Sequence, residues 1–291
     1  MLRPAAVRFG RLRWRDRGGA QITAAASGCR KRRAAYGGEP GASPRPAGGH
    51  TVPAVRFGSP HHHFEVTDST NLRAKELAAG GAPSGTVVTA GAQTAGRGRG
   101  DRAWTAPAGA ALLYSAILRP LDLGHLLLPL SVPVAVCEAC EDAAPVRCAI
   151  KWPNDIWLGE RKLSGILIEA RPPEWAVIGV GINLAIGPDD FPADLRWPAT
   201  SLGHGVTPQR MRAALDAALG RWAAADPELV RERFAARDAL RGRRLSWEGG
   251  SGEGARTGTG AGIDERGNLL VRGPGGELTA LGSGEVRLTP G

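Results

Sequence analysis

The amino-acid sequence predicts an α+β fold, in which a mixed and largely antiparallel sheet has flanking helices and is followed by a small C-terminal β-barrel. The first indication is a series of short apolar segments between residues 147 and 184, joined by tight turns as in β-hairpins. The second is the region after residue 240, where short apolar segments alternate with glycine-rich turns. We therefore predict a main domain at residues 61–240 and a barrel at residues 241–291, preceded by a tail at residues 1–60.

The first elements of the main domain alternate between strand and helix. The segment FEVTDSTNLRAKELAAGG, residues 64–81, predicts a strand end, a capping turn and a short helix closed by two glycines. The segments GTVVTAGAQ at 85–93 and ALLYSAILRP at 111–120 predict buried strands, the second ended by its proline. A helix is predicted near residues 127–142.

The second half of the main domain combines hairpins with two helices. Strands are predicted at residues 147–152, 155–158, 161–170 and 175–184. The clearest helix follows Thr207, which can cap it, and has Pro208 at its first position. Its apolar residues recur at helical spacing and form one core-facing stripe: Met211, Ala214, Leu215, Ala218, Leu219 and Trp222. Another helix is predicted near residues 226–240.

The positive charge of the chain lies in its N-terminal tail. The formal net charge is +9, yet residues 1–60 hold 12 Lys and Arg against 2 Asp and Glu, and residues 61–291 hold 25 against 26. DNA binding is therefore not expected of the folded part, which has no basic excess. The tail is interpreted as disordered or as lying upstream of the true start. A basic nucleic-acid-binding arm and a transit segment are the alternatives.

No segment of the sequence indicates a membrane protein or a secreted one. The most apolar stretch, residues 126–137, is shorter than the roughly 18 residues of a membrane span and contains two prolines. The N-terminus has no apolar region typical of a secretory signal. We therefore expect a soluble, cytoplasmic protein.

Two motifs contain cysteines or histidines that could bind a metal ion, but neither is a strong indication of a metal site. The motif CEAC at 137–140 has the spacing of a metal or redox pair, but no second Cys or His pair accompanies it. These cysteines are interpreted as small buried hydrophobic residues. The motif HHHF at 61–64 is interpreted as an exposed lead-in to the first element rather than as a chelating site.

The loop GAQTAGRGRGDRAW, residues 91–104, is the most unusual segment of the chain. It holds four glycines and three arginines, ends in Trp104, and lies between two predicted strands. Glycines allow a backbone to come close to a ligand, and guanidinium groups bind phosphate. The segment lacks the Gly-Lys-Ser/Thr ending of a Walker loop, and GVGINL lacks the third glycine of a dinucleotide fingerprint. We predict a mobile loop whose arginines close over a phosphate.

Two other segments concentrate polar residues at turns and strand starts. KWPNDIWL, residues 151–158, has Asn154 and Asp155 beside a proline turn, and RKLSGILIEA has Lys162 at the start of an apolar run. Lysine is rare here, with 4 among 37 basic residues. A lysine at such a position can pair with a carboxylate as part of the structure, or it can hold a ligand's carboxylate and phosphate. The residues alone leave both roles open.

Together these motifs resemble the biotin protein ligase family. The motifs DSTN, GAQTAGRGRGDRAW, KWPNDIWL, RKLSGILIE and GVGINL occur in that family's order and spacing, and GIDERGNLLV is similar to part of its C-terminal barrel. The resemblance covers about residues 64–288. Members that double as repressors carry an N-terminal winged helix-turn-helix, which this sequence does not show. The chain therefore resembles the enzyme-only type.

The resemblance implies a class II synthetase-like catalytic domain, an SH3-like barrel and a two-step ligation. Biotin's carboxylate attacks the α-phosphate of ATP, with Mg²⁺, to form biotinyl-5′-AMP and pyrophosphate. A lysine of a biotin carboxyl carrier domain, such as that of acetyl-CoA carboxylase, then takes up the biotinyl group. The anion expected at the arginine loop is thus the phosphate of ATP and of the adenylate.

The resemblance also assigns roles to individual residues. The expected biotin-binding residues are Ser69, Thr70, Asn71, Gln93 and Gly165, the last leaving room for the ligand. The expected ATP- and adenylate-binding residues are Arg97, Gly98, Arg99, Trp104, Asn154, Lys162 and Asn183. The expected catalytic residues are Lys162, Arg97 and Asp155. Asp155 serves either Mg²⁺ or the incoming lysine, and Trp197 is a candidate for facing adenine.

The sequence departs from the family pattern in two places. Gly100 and Asp101 occupy positions where many members have a further basic residue, which predicts weaker charge compensation in the loop. Pro133 predicts a kink in its helix.

Two other functions compete with biotin ligation. A lipoate or octanoyl ligase would share the fold, but a different arginine-led motif is expected of it. A regulator that binds biotinyl-adenylate as a corepressor would need a DNA-binding domain in the tail.

Overall fold

Seven strands form the larger of two sheets in the computed structural model, which describes residues 55–100, 102–193, 195, 197–248, 254–282, 284 and 286–289. The strands are β1 (His61–Thr67), β2 (Val87–Gln93), β3 (Ala111–Leu118), β4 (Cys148–Lys151), β5 (Asp155–Leu158), β6 (Arg161–Arg171) and β7 (Trp175–Asn183). Their order is β1-β2-β3-β7-β6-β5-β4, in which β1 and β2 are parallel and the other neighbours antiparallel. The predicted mixed, largely antiparallel sheet is confirmed.

The middle of this sheet is buried on both faces. All residues of β3 and of β7 are buried, which explains why their sequences are largely apolar rather than alternating. The hairpins from β4 to β7 follow the predicted order. The three histidines of HHHF are exposed, as predicted, but the motif forms the start of β1 at the edge of the sheet rather than a lead-in to it.

The described residues form four α-helices: α1 (Thr70–Ala79), α2 (Leu128–Ala143), α3 (Pro208–Trp222) and α4 (Pro227–Ala235). The Thr207 side chain accepts a hydrogen bond from the Arg210 backbone N–H at 3.2 Å, so the predicted cap of α3 is present. The stripe on α3 packs in the same core cluster as α2, with Ala214 partly buried and its other five residues buried. The α2 helix runs on through Pro133. No helix in the described ranges is long and apolar enough to cross a membrane.

The α4 helix ends at Ala235, earlier than the predicted residue 240. The following backbone pairs with the outer edge of β4 instead. The Ile150 N–H donates to the Arg237 carbonyl at 2.7 Å, and the Ala239 N–H donates to the Ile150 carbonyl at 2.9 Å. Because unpaired strand edges are costly to bury, tertiary pairing here takes precedence over helical propensity.

Five strands form the second sheet: β8 (Arg244–Glu248), β9 (Ala255–Ile263), β10 (Leu269–Arg272), β11 (Leu278–Leu281) and β12 (Val286–Leu288). Their order is β11-β10-β9-β8-β12, and every pair is antiparallel. Within the described residues β11 and β12 lie at opposite edges, so the predicted closure into a barrel is not confirmed. One of the glycine-containing turns expected in this region lies at residues 264–268, where Asp264 accepts from the N–H groups of Arg266 and Asn268 and Gly267 has a φ of +82°.

This turn connects the second sheet to the larger one. The indole N–H of Trp152 donates to the carbonyl of Gly267 at 3.1 Å. A side chain added to Gly267 would lie 3.3 Å from Leu130 of α2, so the turn packs closely against that helix. The described part of the chain lies within a single unit, His50–Gly291.

The boundary predicted at residue 60 lies too late in the chain. Phe57 is 9% exposed and belongs to the main core cluster, and Val55 packs against the same cluster. The Gly58 N–H donates to the Gly85 carbonyl at 3.0 Å. The flanking sequence is rich in glycine and proline, and it concealed these two apolar residues. The predictions for residues 1–54 lie outside the described residues.

We expect Phe57→Ala to lower the free energy of unfolding by about 3 kcal/mol, because the mutation removes a buried ring and leaves a cavity. Urea unfolding followed by circular dichroism would measure the change. Leu123→Ala is the control, because Leu123 is 82% exposed and its loss should change stability by less than about 0.5 kcal/mol. Equal stabilities of Phe57→Ala and the unmutated chain would show that the main domain begins after Phe57.

Candidate ligand-binding and catalytic site

A cavity of about 400 Å³ opens on the larger sheet, and every site residue predicted from the sequence lines it. These are Ser69, Thr70, Asn71, Gln93, Arg97, Gly98, Arg99, Trp104, Asn154, Asp155, Lys162, Gly165 and Asn183. Trp197, the candidate for facing adenine, also lines it. The residues come from α1, β2, β5, β6, β7 and the loop after β2. The structure therefore brings the predicted set together, while the individual roles remain predictions.

The turn before α1 forms one wall of the cavity. The Thr70 backbone N–H and side-chain hydroxyl both donate to Gln93 Oε1, at 2.7 and 3.1 Å. The carbonyl oxygen of the Gln93 amide is thus used by the protein. Its NH₂ group and the hydroxyl of Ser69 have no hydrogen-bond partner among the described residues. These two groups are accordingly available for a polar ligand.

Asn71 was predicted to contact the ligand, but its amide is used within the protein. Its Nδ2 donates to the Leu167 carbonyl at 3.3 Å and to Glu169 Oε2 at 3.0 Å. Its Oδ1 accepts from the Ser115 hydroxyl at 2.6 Å. Since both amide hydrogens and the oxygen are bonded, Asn71 fixes the cavity wall in place rather than offering a free polar group.

The arginine loop folds back on itself as a narrow hairpin over the cavity. The Gly98 N–H donates to the Arg102 carbonyl at 2.7 Å, and the Trp104 N–H donates to the Gly96 carbonyl at 3.0 Å. Arg99 Nη1 donates to Asn154 Oδ1 at 3.3 Å, which connects the hairpin to the turn before β5. The guanidinium groups of the loop thus lie at the cavity rather than in solvent far from it.

The indole of Trp104 packs on a pair of glycines in neighbouring strands. A side chain on Gly165 would come within 2.9 Å of the indole, and one on Gly181 would overlap it. Gly165 was predicted to leave room for the ligand, but in the structure this room is taken by the Trp104 ring. Gly181 was not predicted, although a glycine within the otherwise apolar GVGINL strand is a recognisable sign of close approach.

Lys162 and Asp155 form an ion pair inside the cavity. Lys162 Nζ lies 2.7 Å from Asp155 Oδ1 and 5.7 Å from the centre of the Trp104 ring. The backbone of Lys162 pairs with residues 198 and 200, and Asn183 Nδ2 donates to the Thr200 carbonyl at 3.0 Å. Lys162 therefore has the carboxylate partner that a structural role requires. However, this ion pair lies at the cavity and not in the core, so a role in ligand binding remains open.

Glu169 was not predicted, although it holds two of the predicted residues. Its carboxylate accepts from Lys75 Nζ at 2.8 Å, from Arg97 Nη1 at 3.0 Å and from Asn71 Nδ2 at 3.0 Å. Burial alone would raise the pKa of Glu169, but the hydrogen bonds from Lys75 and Asn71 and the charges of Lys75 and Arg97 outweigh it. The pKa of Glu169 is therefore lowered, and the group is ionised at neutral pH.

Tyr114 lines the floor of the cavity but is not poised to act as a base. Its hydroxyl donates to Asp216 Oδ1 of α3 at 2.8 Å, on the side away from the cavity. Burial, followed by the negative charge of Asp216, raises the pKa of Tyr114 well above its usual value. The phenol stays neutral at physiological pH and acts as packing.

No protein metal site is evident in the described residues, since no three His, Cys, Asp or Glu side chains are grouped closely enough to hold an ion. Asp155 is the one carboxylate among the described cavity-lining residues, and it is paired with Lys162. A Mg²⁺ ion at this cavity would therefore take most of its oxygen ligands from a bound phosphate and from water. Cys137 and Cys140 are buried, as predicted, and Cys148 is buried as well.

Sequence comparisons match this chain to biotin protein ligases. The family model described as the biotin/lipoate A/B protein ligase family matches residues 63–183. A biotin–[acetyl-CoA-carboxylase] ligase of Paracoccus denitrificans is 37% identical over 229 residues, which cover 72% of this chain and 93% of that protein. The bifunctional ligase/repressor BirA of Bacillus subtilis (strain 168) is 42% identical over 151 residues, or 50% of this chain. The chain thus spans about half of that relative's length, 46%.

The fold is also found in a solved structure with bound ligands. The biotin protein ligase from Aquifex aeolicus in complex with biotin and ATP has a TM-score of 0.67 to this chain at 25% sequence identity. The match covers 80% of this chain and 100% of that chain. The predicted fold class, including a C-terminal β-sheet region, agrees with this structure.

Gly181→Val should displace the Trp104 indole and loosen the arginine hairpin. We expect trypsin to cleave after Arg97, Arg99 or Arg102 about tenfold faster in the variant, because overpacking of this size costs on the order of 1–3 kcal/mol. Mass spectrometry of a short digest would measure the rates. Gly254→Val is the control, since a side chain there meets nothing within 4 Å. Identical cleavage rates in all three proteins would contradict anchoring of the hairpin by Trp104.

Proposed function

Because the chain belongs to the biotin protein ligases of the biotin/lipoate A/B protein ligase family, we propose that it activates biotin with ATP and transfers the biotinyl group to a lysine of a biotin carboxyl carrier domain. The observation that carries this proposal is the convergence of Lys162, Arg97 and Arg99 on one cavity with the turn at Ser69 and Thr70. The three cations suit phosphate and carboxylate. The neutral polar groups at Ser69 and Gln93, together with the Trp104 indole, suit a small, largely apolar ring system.

In the first step an oxygen of biotin's carboxylate attacks the α-phosphorus of ATP. The new bond forms between that oxygen and phosphorus, the bond to the β-phosphate oxygen breaks, and pyrophosphate leaves. Negative charge gathers between the carboxylate and the α-phosphate during the attack. The Lys162 ammonium stabilises this charge from a fixed position, which is the kind of electrostatic contribution that lowers barriers most.

In the second step the amine of the acceptor lysine attacks the carbonyl carbon of biotinyl-5′-AMP. An amide bond forms, the bond to the phosphate oxygen breaks, and AMP leaves. The attacking amine must be neutral and must lose a proton. Asp155 lies beside Lys162, so it is available to orient the acceptor ammonium and accept its proton once Lys162 pairs with the phosphate.

The hairpin of residues 96–104 has two tasks in this scheme. Arg97 and Arg99 neutralise the phosphate, and the closed hairpin keeps water from the mixed anhydride, which would otherwise hydrolyse. A Mg²⁺ ion brought in with ATP would neutralise charge on the phosphates. Because Asp155, the one carboxylate among the described cavity-lining residues, is paired with Lys162, the protein would contribute few of the ligands of this ion.

Incubation with labelled biotin, Mg²⁺, ATP and a purified biotin carboxyl carrier domain tests the proposal. A labelled carrier band is expected, and it should vanish without ATP or with a carrier whose acceptor lysine is replaced by arginine. Excess lipoate should not compete. Labelling by lipoate instead of biotin would support the lipoate ligase alternative, and no labelling of the carrier would overturn the proposed activity.

Lys162→Ala should lower biotin-dependent exchange between ATP and labelled pyrophosphate by at least about 10²-fold, as expected for removing one electrostatic donor. Lys162→Arg should also be impaired, because a planar guanidinium cannot replace a compact ammonium. Transfer from preformed biotinyl-5′-AMP should be less affected than exchange.

The exposed neighbour Arg161 provides a control for this prediction, because Arg161→Ala changes the same strand without touching the cavity lining. It should leave exchange within about twofold, as is usual for surface substitutions. Exchange by Lys162→Ala at the rate of the unmutated protein would mean that Lys162 has only a structural role.

A further inference from the structure

The carboxylate of Glu169 lies where three segments of the candidate site meet. Glu169 is on β6, Lys75 and Asn71 are on α1, and Arg97 is in the hairpin. Lys75 Nζ lies 2.8 Å from Oε1, Asn71 Nδ2 lies 3.0 Å from Oε2, and Arg97 Nη1 lies 3.0 and 3.2 Å from the two oxygens. Glu169 is not among the residues that line the cavity. Glu169 therefore affects the cavity through the side chains that it binds.

The contact with Arg97 leaves part of the guanidinium for a ligand. Glu169 binds Nη1, and in the described part of the chain Nε and Nη2 of Arg97 have no hydrogen-bond acceptor. The Arg97 side chain is 41% exposed and lines the cavity. A guanidinium has five N–H donors in a rigid plane, so fixing one nitrogen also fixes the direction in which the others point.

The charges of the group favour an anion at Arg97. One carboxylate faces two cations, Lys75 and Arg97, so the three side chains together carry a net positive charge. With Lys75 sharing the carboxylate, Arg97 is oriented without having its charge cancelled. A carboxylate paired with Arg97 alone would hold the guanidinium equally well but would weaken its attraction for phosphate.

The contact with Asn71 connects Glu169 to the turn before α1. Glu169 and the Leu167 carbonyl take up the two amide hydrogens of Asn71, which turns its oxygen toward Ser115. Asn71 follows Thr70, whose backbone N–H binds Gln93. A shift of the Glu169 carboxylate would therefore move both the turn at residues 69–71 and the hairpin at residues 96–104.

We propose that Glu169 is a positioning residue that orients Arg97 toward the phosphate and couples the arginine hairpin to the turn at residues 69–71. The inference rests on the proposed function, because it assigns Glu169 a part in the binding of ATP and biotin. A positioning role differs from that of a purely structural ion pair in one respect. The effect of removing the carboxylate on ATP binding must be transmitted through Arg97.

Glu169→Gln tests this role, because glutamine keeps an acceptor for Asn71 but loses the charge that holds Arg97. We expect the KM for ATP in pyrophosphate exchange to rise about tenfold, in line with loss of a charge-assisted hydrogen bond, while kcat changes less than about threefold. Glu174→Gln is the matched control. Glu174 follows the same strand, is about half exposed and pairs with Arg171 away from the cavity, so its KM for ATP should not change.

A double-mutant cycle with Arg97→Ala separates positioning from general destabilisation. If Glu169 acts through Arg97, Glu169→Gln should raise the KM for ATP no further in a chain that already carries Arg97→Ala. Equal fold-increases in both backgrounds would overturn the proposal. Should Glu169→Gln fail to fold, the same cycle with Glu169→Asp applies, since the shorter side chain keeps the charge but draws it away from Arg97.

The two hypotheses fail in different ways. Absence of exchange and of carrier labelling by the unmutated protein would overturn the proposed function, and the role of Glu169 with it. Normal exchange by the unmutated protein, together with an unchanged KM for ATP in Glu169→Gln, would overturn only the role of Glu169.

Discussion

The register of β7 against its two neighbours is the constraint on which the site depends. Pairing with β3 places Gly179 opposite Ser115, and pairing with β6 places Gly181 opposite Gly165. Asn71 packs on Gly179 and bonds to Ser115, whereas Trp104 packs across Gly165 and Gly181. A shift of one residue would turn these glycines to the other face and bring side chains to both places. The turn before α1 and the arginine hairpin are thus located by the same two ladders.

Internal carboxylates hold the cations of the cavity in place. Lys162 is paired with Asp155 and Arg97 with Glu169, and both carboxylates are at least partly buried. Such pairs stabilise the fold little, because desolvation offsets much of the attraction. Their effect is on geometry, since a cation that is already oriented needs less rearrangement when an anion arrives.

The segment from Lys151 to Asp155 contacts both the larger and the second sheet. Lys151 is buried, with its ammonium 5.2 Å from the Trp197 ring, and Trp152 donates to Gly267 in the second sheet. Asn154 and Asp155 face the cavity. The turn at residues 152–154 separates β4 from β5, so neighbouring side chains of this short segment contact the core, the second sheet and the site. The position of the second sheet is in this way tied to the position of Asp155.

Strands, hairpins and the stripe on α3 follow from local periodicity, and the glycine, arginine and lysine motifs identify the polar residues of the cavity. The apolar lining residues and the partners of the polar ones depend on the tertiary structure. Glu169 lies 72 residues from Arg97 and 98 residues from Asn71 in the sequence. The α4 helix ends early because the backbone that follows it forms hydrogen bonds with Ile150. Local patterns report backbone preference and burial, whereas partners distant in sequence are set by strand register, which no short segment contains.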